Sequence, residues 1–278
     1  MKLTGTILVL SLVAGIFGLA IYKRTAAQAP MAQGPRQPVI VELFTSEGCS
    51  SCPPADQLLA KLETEQPVGN AEILALEEHV DYWNQGGWID PFSSDSATIR
   101  QYAYGGVLGN GNAYTPQMVI DGQSEFVGSR EGKARSAIEH AGSRKKTEVT
   151  VMADGSGKNG APTLHIKVGA LQNATGGDAP EVWMAITETG LHSSVKGGEN
   201  AGEELRHAAV VRKVQKLGAV KNSGETSFSA EQPLKLDSGW KRENTRVVVF
   251  IQERNSKKIL GANSATLPGM NALKMAAH

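Results

Sequence analysis

Two cysteines in 278 residues are too few for a disulfide-dense scaffold or a four-thiolate zinc site. Net charge is missing as well: 28 Lys and Arg balance 28 Asp and Glu. A chain without a global field does not gather phosphates, which argues against a dedicated nucleic-acid binder. Aromatics make up only 5%, and no internal repeat is visible. The overall composition argues against a multi-span membrane protein, a disordered chain and a coiled coil. What is present is 40% hydrophobic and 20% charged residues. That is enough apolar side chain for a real core, in a length that suits about two domains.

The amino end carries one uninterrupted apolar run. Residues 3–22 (LTGTILVLSLVAGIFGLAIY) hold no charge, with Lys2 before them and Lys23-Arg24 after. A secretory h-region spans about 7–15 residues and a membrane-crossing helix needs about 20. Residues 1–29 therefore read as a signal peptide or a signal anchor, and both send the rest of the chain across a membrane. Periplasmic or secreted localisation follows, with membrane anchoring through residues 3–22 if the leader is not cleaved. Residues 30–37, rich in Pro, Gln and Gly, read as a linker.

From residue 38 the pattern is strand and helix in alternation. PVIVELFT is a short β-branched run bounded by Pro38 and Ser46-Glu47-Gly48, which predicts a buried strand. Leu58, Leu59 and Leu62 recur at helical spacing behind Pro53-Pro54, a good helix start. Residues 71–80 suit a second strand. Ser94 or Ser96 can cap a helix that ends at Gly105-Gly106. Gln117–Ile120, the Asp121-Gly122 turn and Glu125–Val127 predict a hairpin, and Glu131–His140 a closing helix. After residue 146 the texture changes to short β-branched runs at 147–152, 163–168, 182–187, 208–214, 227–230 and 246–252, with turn residues between them and no convincing helix. The expected fold class is an α/β domain over residues 38–142, with an aromatic insertion at 84–113. An all-β, sandwich-like module over 147–265 and a tail at 266–278 complete the chain.

Both cysteines fall in one motif, Cys49-Ser50-Ser51-Cys52, between strand and helix. Unpaired N–H groups and the dipole at a helix amino end favour a thiolate there. The first cysteine of such a pair is the expected exposed, low-pKa nucleophile. The second resolves the mixed disulfide. Thr115-Pro116 precedes the later strand. In thioredoxin-like folds a cis proline at that place faces the CxxC, and the residue before it offers its backbone to a substrate chain.

Val41–Asp56 (VELFTSEGCSSCPPAD) resembles the opening motif of the bacterial secreted family catalogued as domain of unknown function 1223. Residues 79–83 (HVDYW), 87–92 (GWIDPF), 114–119 (YTPQMV) and 198–207 (GENAGEELRH) are similar to its further motifs, so the resemblance covers about residues 38–255. It implies a thioredoxin-like fold with an extra β-rich segment and an export signal, and supplies no settled substrate. Glu77-Glu78 stand where a small and an aromatic residue are expected.

The candidate catalytic set is Cys49, Cys52, Thr115, Pro116 and Glu42. Glu42 sits mid-strand in VIVELF and resembles the buried carboxylate that takes the resolving cysteine's proton in thioredoxins, although simple alternation would equally place it on a solvated face. Seven of the chain's fifteen aromatics lie between Tyr82 and Tyr114. Trp83, Trp88 and Tyr114 are the candidates to grip a substrate over the CxxC, or else they pack into a subcore of their own. The activity read from these residues is thiol–disulfide exchange with a protein or small-molecule thiol, needing no cofactor. Two alternatives share the residues: a copper or zinc site built from Cys49, Cys52 and His79, and a binding domain with a static disulfide.

Overall fold

A computed structural model describes residues 35–109, 111–155, 157, 161–220 and 225–267. The leader (1–29), most of the linker (30–37) and most of the tail (266–278) lie outside the described residues. Among the described residues no helix is long and apolar enough to cross a membrane.

The first half runs β1 (Gln37–Thr45), α1 (Pro53–Glu65), β2 (Ala71–His79), α2 (Asp95–Leu108), β3 (Gln117–Ile120), β4 (Ser124–Val127) and α3 (Glu131–Gly142). This is the β-α-β-α-β-β-α order that the sequence pattern predicts. The second half contributes β5 (Val149–Asp154), β6 (Thr163–Gly169), β7 (Pro180–Glu188), β8 (Leu191–Ser194), β9 (Glu204–His207) and β10 (Val210–Ala219). It ends with β11 (Thr226–Pro233), β12 (Thr245–Glu253) and β13 (Ile259–Thr266). The hairpin β8–β9 and the strand β13 were not foreseen among the β-branched runs. β8 and β9 are only four residues each and polar, and β13 is rich in Gly, Ala, Asn and Ser.

Local signals explain the helix ends. Pro53 and Pro54 occupy the first positions of α1, and Gln66 closes it in the left-handed region with its N–H on the Leu62 carbonyl. Ser94 caps α2 by accepting the Ala97 N–H. α2 does not stop at Gly105-Gly106. It continues to Leu108 because Gln101, Tyr104 and Gly105 lie on a buried face, and packing outweighs the helix-weakening of glycine.

The strands do not divide at residue 145. They form one eight-stranded sheet in the order β13-β12-β7-β10-β2-β1-β3-β4, four strands from each half. The expected boundary between a thioredoxin-like domain and a separate β module is therefore corrected: the join is a single pair, Val210 with Glu77, inside a common sheet, and the described residues cluster as one compact unit. β5, β6 and β11 make a second, three-stranded sheet. Its apolar side chains Val149, Val151, Leu164, Ile166 and Val168 meet Val182, Met184, Ile186, Val247, Val249 and Ile251 of β7 and β12. Sandwich packing is thus confined to that part of the large sheet.

Strand alternation assigns the two faces of the large sheet. Val39, Val41, Leu43, Ile73 and Ala75 meet Leu58, Leu59, Leu62 and Ile138 of α1 and α3. The opposite side chains, Ile40, Leu74 and Leu76, pack with Ala185, Val211, Val248, Phe250 and Ala262 from the second half. In a flat sheet six strand spacings of about 4.8 Å would separate β13 from β3 by roughly 29 Å. Yet the Ile259 N–H at the start of β13 donates to the carbonyl of Asp121, just after β3, at 3.0 Å. The sheet therefore curls until its second-half edge reaches the first-half hairpin. That hairpin needs glycine: Gly122 has φ +65°, and a Cβ there would lie 1.9 Å from the Lys257 carbonyl oxygen.

One shared inner core predicts one unfolding transition. Phe250→Ala should lower stability by about 3–5 kcal/mol. Hydrogen-exchange protection at Ile40 and Leu74 should fall together with that at Val248. Independent first-half protection would contradict the shared core.

Candidate functional site

The chain leaves β1 through Ser46-Glu47-Gly48 and turns into α1. Backbone bonds Cys49 N–H to Ser46 O and Cys52 N–H to Cys49 O, both 3.1 Å, wind this turn. Cys49 and Cys52 are joined as a disulfide with a Cα–Cα separation of 5.5 Å, inside the ordinary range. Cys49 is 1% exposed and Cys52 0%. The expectation that Cys49 stands open to solvent is corrected, and two side chains from the second half of the chain close on this turn. Asn200, in the loop between β8 and β9, donates through Nδ2 to the carbonyls of Glu47 (2.8 Å) and Cys49 (3.0 Å). The Glu199 carboxylate accepts from the Ser50 N–H (3.0 Å) and hydroxyl (2.7 Å), and these bonds hold its pKa below the usual value. The 198–207 motif is thus a clasp on the CxxC turn.

Two tryptophans flank the same turn. Trp83 Nε1 donates to Thr115 Oγ1 at 2.8 Å, and its Cβ lies 3.4 Å from where a Gly48 Cβ would be. Trp88 Nε1 donates to Glu47 at 2.7 Å, with its Cβ over Gly198. Pro116, after a cis peptide bond, shares with Ala55 of α1 the space that a Gly128 side chain would need. Cys49, Cys52, Trp83, Trp88, Thr115 and Pro116 are therefore gathered at one end of the sheet.

Three candidates go elsewhere. Tyr114 turns away, its hydroxyl donating to Glu125 of β4 while its carbonyl accepts from Gln101. Glu42 is fully buried, yet it lies on the sheet face opposite α1. There it pairs with Arg100 and Tyr104 of α2, because even-numbered positions of β1 point away from the cysteine helix. His79 is drawn into a carboxylate network, with Nδ1 at 2.7 Å from Asp90. The Cys49–Cys52–His79 metal set is not assembled, since each sulfur is bonded to the other.

That network is the part the sequence reading missed. Glu47, Glu77, His79, Asp90 and His207 are all buried. His207 Nδ1 lies 2.8 Å from Glu77 and its Nε2 3.2 Å from Glu47. Asp90 also accepts the Glu47 N–H at 2.9 Å, and the Ala208 N–H donates to Glu77 at 2.9 Å. Burial opposes charging of both imidazoles. The Asp90 charge and hydrogen bond nevertheless hold His79 well above 6.5. Bonds to Glu47 and Glu77 likewise push His207 up to about 9. Burial would raise Glu77 and Asp90, but their histidine partners bring both below the usual carboxylate range. Glu77, His79 and His207 each offer a donor atom within 4.8 Å of the others. The signal was available in Glu77-Glu78-His79 and in the 198–207 motif, whose partnership no spacing could reveal.

Asp56, one helical turn after Cys52, is a second carboxylate the sequence did not single out. It accepts the Thr45 hydroxyl at 2.6 Å on the α1 side of the sheet. Burial, reinforced by the Glu77 charge, pushes its pKa up to about 7. It lines a cavity of about 280 Å³ with Pro53, Gln57, Glu204, Leu205 and Arg206.

Two outcomes follow. The folded Asp56 value lies above its unfolded 3.8, so stability from the neutral form is complete below about pH 4 and is lost as pH rises through about 7. Asp56→Asn should therefore gain roughly 2–4 kcal/mol on the wild type between about pH 4 and pH 8 in denaturant titrations; parallel curves would contradict this. Asn200→Ala leaves two buried carbonyls without their donor, a loss of about 1–3 kcal/mol. Reduction of the disulfide by dithiothreitol should then speed up about tenfold or more. An unchanged rate would mean that the 195–203 loop does not guard the sulfurs.

A protein from Agrobacterium tumefaciens, AGR_C_4864, has a crystal structure similar to this chain at 27% identity and a TM-score of 0.65, covering 86% of this chain and 97% of that one. HBP35 of Porphyromonas gingivalis is similar in fold at 17% identity and a TM-score of 0.63, over 84% of this chain and 76% of its own. No curated protein matches. The model of a family described as "protein of unknown function (DUF1223)" matches residues 40–252. The chain belongs to that family.

Proposed function

We propose that the protein is an exported, thioredoxin-like thiol–disulfide exchange protein, acting through Cys49 and Cys52 on a protein or small-molecule thiol. The observation that carries this reading is the juxtaposition of a CxxC disulfide at the strand-to-helix turn with Thr115-Pro116, linked through Trp83. Export rests on the apolar run at residues 3–22. In the exchange, a substrate thiolate attacks Cys49 Sγ and the Cys49–Cys52 bond breaks. Cys52 leaves as a thiolate and takes up a proton. A second substrate thiolate then attacks the substrate sulfur of the mixed disulfide and expels Cys49. The substrate ends as a disulfide and the protein as a dithiol; the same steps reversed reduce a substrate. Asp56, with a pKa near 7 one turn from Cys52, takes the proton-carrying role that Glu42 cannot fill. Access requires the Glu199–Asn200 clasp to lift, which makes the 195–203 loop the gate.

Near-complete burial of both sulfurs favours a second reading, a static disulfide stapling β1 to α1. Equilibration with glutathione separates the two. An exchange protein should titrate above about −300 mV, whereas a structural bond resists reduction below that. Cys49→Ser should abolish exchange with a disulfide substrate, and Cys52→Ser should trap a mixed disulfide on Cys49. A trapped adduct on Cys52, or full activity in Cys49→Ser, would overturn the roles.

A further inference from the structure

The buried network beneath the CxxC turn has a chemistry of its own, which does not depend on the sulfurs. We infer that Glu77, His79 and His207 form a binding site for a divalent transition-metal ion of the zinc type.

The donor geometry is the first support. Glu77 Oε1 lies 2.8 Å from His207 Nδ1 and 3.5 Å from His79 Nε2. Ligands of a tetrahedral zinc ion at about 2.0–2.1 Å are separated by about 3.3 Å. The third pair, His79 with His207, lies within 4.8 Å, so the two imidazoles close by up to about 1.5 Å to reach coordinating positions. The second support is an orphaned atom. His79 Nε2 is fully enclosed and makes no hydrogen bond, although a buried polar atom without a partner is costly. It faces Glu77, where a metal ion would satisfy it.

Each histidine also has the outer partner that a metal ligand needs. His79 Nδ1 is held by Asp90, whose own oxygens accept the N–H groups of Glu47 and Phe92. His207 Nε2 faces Glu47, whose other oxygen accepts from Trp88. Such carboxylate–imidazole pairs fix the tautomer and aim the remaining nitrogen at the ion. Glu77 is oriented in the same way, by the Ala208 N–H on Oε2. Two imidazoles and a carboxylate without a thiolate suit zinc and its neighbours cobalt and nickel. Three protein ligands leave the fourth position open, the arrangement of reactive rather than closed structural zinc sites.

The test titrates chelator-treated full-length protein with Co(II) and reads visible ligand-field absorption, followed by competition with Zn(II). One Co(II) per chain should bind with the spectrum of a four-coordinate N/O site and no thiolate charge-transfer band, and Zn(II) should displace it. His207→Gln and His79→Gln should each weaken binding by 100-fold or more. Asp90→Asn, which keeps every ligand, should weaken it by about 10–100-fold and serves as the decisive variant if a ligand substitution prevents folding. The Cys49→Ser/Cys52→Ser double variant should bind as the wild type does. Folded wild-type protein that binds no Co(II) would overturn the site. So would binding indifferent to Asp90→Asn, or binding lost with the cysteines, and neither result bears on thiol exchange.

Discussion

Burial of carboxylates within and just beyond β1 and β2 is the constraint on which the rest of this structure depends. Glu42, Glu47, Glu77 and Glu78 are at most 1% exposed. An ionised carboxylate taken out of water without a partner costs several kcal/mol, so each needs a positive group or a proton. The partners come from distant segments: Arg100 for Glu42, and His207 for both Glu47 and Glu77. Glu78 touches Arg100 only at 3.9 Å, and burial pushes its pKa up to about 7. Glu42 and Glu78 meet Arg100 of α2 within the first half, whereas His207, set against Glu47 and Glu77, comes from the second half and ties the two halves together at this end of the sheet.

Strand alternation then divides these charges between two places. Glu77 and His79 point toward α1 and the CxxC turn, while Glu78 between them points toward α2. Three consecutive residues thus feed two clusters on opposite faces of the sheet. On the α1 side the cluster supports the turn that holds the disulfide, through Glu47 and the Trp88 indole. On the other side Arg100, Tyr104 and Glu42, with Gln252 of β12, anchor α2 to the curled sheet. A cavity of about 250 Å³ opens beside them, lined by Ile99, Trp183 and Val214.

The cover over the CxxC turn follows the same logic. A CxxC at a helix start is ordinarily open, and here the polar, Gly-interrupted loop of a later hairpin closes it. Its hold rests on two side chains, Asn200 on backbone carbonyls and Glu199 on Ser50. Glu199 is solvent-facing and its bonds are weak in water, while the bonds of Asn200 are buried. Asn200 therefore sets the strength of the clasp.

The sequence by itself determined the local elements. β-branched runs, Pro53-Pro54, Ser94 and Asp121-Gly122 act within a few residues through sterics and backbone hydrogen bonding, and they specified β1 through α3 and six of the nine later strands. It also brought out Cys49, Cys52, Thr115, Pro116, Trp83 and Trp88, because a motif between a strand and a helix fixes its own placement. Only the tertiary structure decided which face Glu42 occupies, since a one-residue change of phase reverses a strand's side chains. It alone joined the two halves, through a lone Val210–Glu77 pair and an apolar core that no local pattern encodes. And it alone set His207 against Glu77, 130 residues away, because a buried charge is partnered by what folding brings near, not by what lies near in the chain.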